Sequence, residues 1–69
     1  MKLKVLVRSE KVGGYSVSVP AFPGCHSQGE TLGEALTNIR EAAELWLDAV
    51  AERAIATESH EAQIQEIEL

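Results

Sequence analysis

The sequence predicts a small α+β domain with the element order β-β-β-α-β, in which a three-to-four-stranded sheet packs on one long helix. Short runs of alternating polarity fill the first third of the chain and are separated by glycine or proline turns. A long segment with helical periodicity follows a capping signal, and a short apolar segment ends the sequence. With 69 residues we expect a single domain spanning residues 1–69.

The first two strands are predicted to form a hairpin. Residues 2–9 alternate in part, and residues 15–19 alternate cleanly between apolar and hydroxyl side chains. Gly13 and Gly14 lie between them and suit a chain reversal. The expected inward positions are Leu3, Val5, Val7, Tyr15, Val17 and Val19.

A loop and a third strand come next. Pro23 presets φ and Gly24 accepts a positive φ, so the pair fits the centre of a type II turn. Residues 25–28 are predicted to form a short third strand that ends at Gly29.

The long helix begins at a capping box, in which Thr31 and Glu34 satisfy free amides, and is expected to reach about Ala54. At about 100° per residue, one stripe of this helix is apolar and predicted to face the sheet. It contains Leu32, Ala35, Leu36, Ile39, Ala43, Trp46 and Val50. The opposite face contains Glu34, Glu41, Glu44, Asp48 and Glu52. Leu45 falls among these acids.

The end of the sequence allows two interpretations. Residues 57–60 resemble a loop. Ile64 and Ile67 have a helical spacing, but residues 63–69 also fit an edge strand, which we favour.

Composition limits the class of protein. The chain contains one cysteine and no apolar run long enough to span a membrane, so we expect a cytoplasmic protein without a disulfide framework. Residues 1–29 carry a net charge of +3 and residues 30–69 a net charge of −8. The acidic part disfavours nucleic acid and favours a basic protein partner, although a solvated helix face would look the same. The basic cluster Lys2, Lys4, Arg8 and Lys11 leaves DNA contact open as an alternative.

No catalytic, metal or cofactor site is predicted. Cys25 and His26 are adjacent, but neighbouring side chains on a strand point to opposite faces, so we expect a buried Cys25 and a surface His26. The predicted strands contain no aspartate. We therefore expect a protein that is not an enzyme.

Two apolar residues are candidate anchors for a partner. Phe22 lies between Pro20 and Pro23 in a loop, where we expect it to be exposed, and Leu45 is isolated on the acidic face. Trp46 is interpreted as a core residue. The candidate partner-binding residues are Phe22, His26, Glu41, Glu44, Leu45, Asp48 and Glu52.

The segment from Gly14 to Ala35, GYSVSVPAFPGCHSQGETLGEA, resembles the N-terminal domain of HicB-type antitoxins. The shared pattern is roughly G-Y-x-x-x-V-P-x-h-P-G-C-x-[ST]-x-G-[DE]-T-h-x-E-A, where h is apolar. Ala21 and Gly33 depart from it mildly. The resemblance covers about residues 2–55. Its motif residues act mainly on the backbone: Pro20, Pro23, Gly24, Gly29, Thr31 and Glu34.

The resemblance implies a truncated RNase H-like fold and a small basic HicA-like partner, an RNA-cleaving toxin whose active site the antitoxin covers. Many such antitoxins carry a C-terminal DNA-binding domain, which this sequence is expected to lack.

Three hypotheses follow, in decreasing order of support: an antitoxin, a structural or regulatory module that acts through homo-oligomerisation as a dimer or larger assembly, and a degenerate RNase H-like nuclease. The predicted strands lack the acidic residues that such a nuclease would need, and this counts against the third hypothesis.

Overall fold

The computed structural model describes residues 2–58 and 62–68. In these ranges the chain forms a three-stranded antiparallel sheet and one helix, so the α+β class and the order β-β-β-α are as predicted. The elements are β1 (Leu6–Ser9), β2 (Tyr15–Ser18), β3 (His26–Gly29) and α1 (Leu32–Glu58). β2 is the central strand, because the sheet order is β1-β2-β3.

The sheet has one face toward α1 and one face toward solvent. Val7 pairs with Val17, and Val17 pairs with Ser27, so these three residues share the inner face. Val17 and Val19 are buried there, as the alternation predicts, and Tyr15 is half-buried. Leu6, Arg8 and the even-numbered residues of β2 and β3 face outward.

The loop between β2 and β3 consists of two consecutive turns. The Phe22 amide donates to the Val19 carbonyl at 3.0 Å, and the Cys25 amide donates to the Phe22 carbonyl at 3.0 Å. Gly24 has a φ of 83°, which fits the predicted position after Pro23 in the second turn. This loop returns the chain from β2 to β3 in seven residues.

The start of α1 is fixed by its cap and by close packing on β3. The Glu34 amide donates to Thr31 Oγ1 at 3.1 Å, which confirms Thr31 as the N-cap. A Cβ on Gly29 would lie 2.9 Å from Ala35 Cα and closer still to the Ala35 amide nitrogen. Glycine therefore allows the first turn of α1 to lie directly on β3.

The core is small and lies between α1 and the β2–β3 half of the sheet. Its buried members are Val17, Val19, Phe22, Cys25, Ala35, Ile39 and Ala43. Leu3, Val5, Tyr15, Ala42 and Trp46 pack against it and are partly buried.

The predicted apolar stripe of α1 is only partly buried. Leu32, Leu36 and Val50 were expected to face the core but are exposed. A 27-residue helix is about 40 Å long, whereas a four-residue strand spans about 13 Å, so the sheet covers only the first half of α1 and Val50 lies beyond it. Leu36 is within the covered half but lies on the side of the groove shared with Leu3 and Val5, where α1 has no strand beneath it. Val7 is exposed for a related reason: among the described elements, α1 packs on β3 and β2 and not on β1.

The end of the chain differs from the expectation. α1 continues past Ala54 to Glu58, so Thr57 and Glu58 are helical rather than part of a loop, and residues 59–60 lie outside the described residues. The fourth strand expected at 63–69 is absent from residues 62–68, all of which are exposed. A strand needs a neighbouring strand for its backbone hydrogen bonds, and residues 62–65 lie beside the end of α1 instead.

Candidate functional site

The outer face of α1 presents one apolar side chain among carboxylates. Leu45 is 69% exposed, which confirms its predicted position off the apolar stripe. Glu41 lies four residues before Leu45, and Asp48 and Glu52 lie three and seven residues after it, so all three are its neighbours on the helix surface. We call these four residues the acidic face. It points away from the sheet, because the buried residues of α1 are on the other side.

Glu44 lies at the border of the acidic face. Arg40 Nε is 3.7 Å from Glu44 Oε1, in an i,i+4 pair whose side chains are 82% and 68% exposed. Such an exposed ion pair is screened by water and contributes little to stability. It does lower the net negative charge at this border, so Glu41, Asp48 and Glu52 dominate the field of the acidic face.

Phe22 was expected to be exposed in a loop, where it could contact a partner. This expectation is wrong. Its side chain is 9% exposed and its ring stacks on Trp46, with 4.2 Å between ring centroids and 2° between ring planes. The two turns around Phe22 direct the side chain back under α1. The flanking prolines restrict the loop, but they do not force a large apolar side chain into solvent.

Two contacts that sequence reasoning missed attach α1 to the sheet. Trp46 Nε1 donates to the Pro23 carbonyl at 3.0 Å, and Asn38 Nδ2 donates to the Gln28 carbonyl at 2.7 Å. Both donors are half-buried side chains of α1. The only available signal was the presence of a tryptophan and an asparagine on the side of the helix that faces the sheet.

His26 lies apart from the acidic face. It is exposed and pairs with Ser18, on the outer face of the sheet, whereas Cys25 is buried, as the alternation predicts. A single flat partner surface could not contact His26 and the outer face of α1 together, because the sheet and the helix separate them. The candidate partner residues are therefore divided among the core, the outer sheet face and the helix.

The described residues contain no cluster of metal-ligating side chains. The three strands contain no Asp or Glu, and no three His, Cys, Asp or Glu side chains in residues 2–58 and 62–68 come together as metal ligands would. In the same ranges, no helix has the length and apolar character needed to cross a membrane. What the arrangement can supply is a charged surface with one apolar contact at its centre.

The fold is a small α+β domain whose outer helix face is charged and exposed. Residues 3–68 match the family described as the HicB-like antitoxin of bacterial toxin–antitoxin systems. The chain therefore belongs to this family, which confirms the resemblance read from residues 14–35.

Several relatives support the assignment. The UPF0150 protein Ta0767 of Thermoplasma acidophilum is 44% identical over 50 residues, which cover 72% of each chain. A UPF0150 protein of Archaeoglobus fulgidus is 40% identical over 48 residues, covering 70% of each. The Synechocystis UPF0150 protein ssr1765 is 48% identical over 46 residues, covering 67% of this chain and 58% of the relative. No solved structure matches the chain.

Proposed function

We propose that this protein is an antitoxin that neutralises a small basic HicA-like, RNA-cleaving toxin by covering its active site. Family membership supports the general role. The observation that carries the choice of surface is the acidic face of α1, with Leu45 69% exposed at its centre.

The acidic face suits a partner rich in lysine and arginine. Long basic side chains have an apolar stem and a charged end. The stem can pack on Leu45 while the charged end meets Glu41 or Asp48. An RNA-binding surface is basic because it must contact phosphates, so the residues that hold RNA on the toxin are the ones that this face would attract.

Charge would act chiefly on the rate of association. Complementary potentials steer two proteins together, and this effect weakens as salt shortens the Debye length to about 8 Å at physiological ionic strength. Leu45 would contribute to the lifetime of the complex, because apolar burial is not screened by salt.

The proposed mechanism is occlusion, without catalysis by the antitoxin itself. The toxin would be excluded from RNA for as long as the complex lasts, and no bond would be formed or broken. We place this activity in the cytoplasm, where an RNA-cleaving toxin meets its substrate.

Co-expression with the protein encoded by the adjacent reading frame tests the proposal. We expect the two proteins to co-elute and the chain to restore growth that the neighbour alone inhibits. Leu45→Asp should reduce both, because it removes the apolar contact. Ile64→Asp is the matched control, since Ile64 is 61% exposed outside the acidic face. Absence of a complex, or equal effects of the two variants, would contradict the proposal.

A second candidate function is a regulatory module that acts through self-association. Exposed apolar residues along α1, distinct from the acidic face, favour it. The two candidates are compatible, because they use different sides of the helix.

A further inference from the structure

An open apolar groove runs beside α1, over the part of the sheet that the helix does not cover. It has a volume of about 440 Å³. Its walls include Leu3, Val5, Val19, Leu36, Ile39 and Leu47. It exists because α1 packs on β3 and β2, which leaves the inner face next to β1 without a covering layer.

The groove continues along α1 as a stripe that is exposed except at its first residue. Ala43, Leu47, Val50 and Ala54 fall within about 60° of one another on the helix at about 100° per residue. Ala43 is buried and lines the groove, whereas the other three are exposed. We call these four residues the groove stripe. Leu47 is 38% exposed and Val50 is 36% exposed, beyond the part of α1 that the sheet covers. The spacing of 4, 3 and 4 residues is that of a seam between two packed helices.

The groove stripe is symmetric about its own centre. The midpoint between Leu47 and Val50 is also the midpoint between Ala43 and Ala54. In an antiparallel pair of identical helices, Leu47 would meet the second copy's Val50, and Ala43 would meet its Ala54. Large residues lie at the centre and small residues toward the ends, which lets the axes approach to the usual 8–10 Å, about the width of one helix.

We propose that the groove stripe is a dimer interface, on which α1 of a second copy packs antiparallel. A two-fold interface must be self-complementary, and the groove stripe meets this condition because its residues pair with one another about a common midpoint. In this register the end of the second helix, at Glu58, would lie over the groove at the level of Ile39 and Arg40. The acidic face would stay outside the interface on both copies and remain free for a toxin.

Charge at the border favours this occupant. Arg40 and Glu58 are 18 residues apart, which is five helical turns, so they lie on the same side of the groove stripe. They are almost equally far from its midpoint. In the antiparallel pair, Arg40 of each copy therefore approaches Glu58 of the other. A basic toxin has no corresponding reason to choose the groove, because Arg40 balances Glu44 there.

The chain's own tail is the alternative occupant. Residues 62–65 line a shallow recess with Ala54, Ile55 and Glu58. They cover little, since Ile64 remains 61% exposed. The groove beside Leu3 and Val5 has no tail residue in its lining.

A pair of matched variants tests the interface. The mass of the full chain, measured by light scattering and sedimentation equilibrium from micromolar to millimolar concentration, should show a dimer. Leu47→Lys should weaken dimerisation at least about tenfold, because it buries a charge in the seam. Ile55→Lys should not, although Ile55 is similarly exposed at 41%, because it lies about 80° from Leu47 on the helix. Circular dichroism checks that both variants fold.

A charge exchange tests the antiparallel register. Arg40→Glu and Glu58→Arg should each weaken the dimer, and the double variant should recover most of the loss, because the pair is restored with reversed signs. A monomer at all concentrations, equal effects of Leu47→Lys and Ile55→Lys, or failure of the double variant to recover would overturn the proposal. Loss of the dimer on Ile64→Lys alone would identify the tail as the contact instead.

Discussion

Phe22 is predicted to be essential for stability rather than for binding. Phe22→Ala removes a ring that is 9% exposed and stacked on Trp46. Truncating a buried phenylalanine costs about 3–5 kcal/mol. At about 0.05–0.15 kcal/mol per residue, the whole 69-residue domain has a free energy of unfolding of about 3–10 kcal/mol. The substitution should therefore remove a third or more of the stability.

Urea denaturation and a thermal melt, both followed by far-UV circular dichroism, measure this loss. We expect a fall of about 3 kcal/mol, since some of the ring is accessible, and a drop in Tm of at least about 12 °C. Leu45→Ala is the control and should stay within about 0.5 kcal/mol, because Leu45 is exposed. Trp46→Phe keeps the aromatic ring but loses the donor to the Pro23 carbonyl, which costs about 1 kcal/mol. A loss below about 1 kcal/mol for Phe22→Ala would refute the role of the stack.

Three substitutions at turns and caps give further tests by the same denaturation. Gly29→Ala should cost about 1–3 kcal/mol, because its Cβ would overlap the backbone of Ala35. Thr31→Ala should cost about 1 kcal/mol through loss of the acceptor for the Glu34 amide, and Thr31→Ser should restore it. Gly24→Ala should cost about 1–2 kcal/mol through its φ of 83° alone, since no atom lies within 4 Å of the added Cβ. Losses below about 0.5 kcal/mol would contradict these assignments.

Local backbone devices were the most predictable part of the fold. Thr31 and the Pro23-Gly24 pair act through hydrogen bonds and φ angles within a few residues, so the sequence around them is sufficient. Alternation identified the inner face of β2 for the same reason. These features established the hairpin, the second turn and the start of α1.

Long-range packing was less predictable. The exposure of Phe22 depends on Trp46, which is 24 residues away in sequence, and no local pattern links them. The wheel of α1 identified an apolar stripe, but the burial of Val50 depends on how far the sheet extends beneath the helix, and that of Leu36 on which strands the helix packs against. The absence of a fourth strand likewise depends on whether a neighbouring strand lies within reach of residues 62–68.

The acidic face was predictable in part because exposure of a polar helix face requires only periodicity. Leu45 and its acidic neighbours were identified correctly as one exposed surface. His26 was grouped with them, but the fold assigns it to the outer sheet face. Sequence spacing alone could not separate the two surfaces, because they come from different elements.

Titration calorimetry between the purified chain and the adjacent reading frame's product tests the central claim most directly. Two triple variants with the same change in net charge are compared. The first, Glu41→Lys with Asp48→Lys and Glu52→Lys, reverses the acidic face. The second, Glu10→Lys with Glu66→Lys and Glu68→Lys, leaves that face unchanged. We expect the first to weaken binding at least about a hundredfold and the second less than about threefold. Equal losses from both, or no loss from the first, would show that the acidic face of α1 does not bind the toxin.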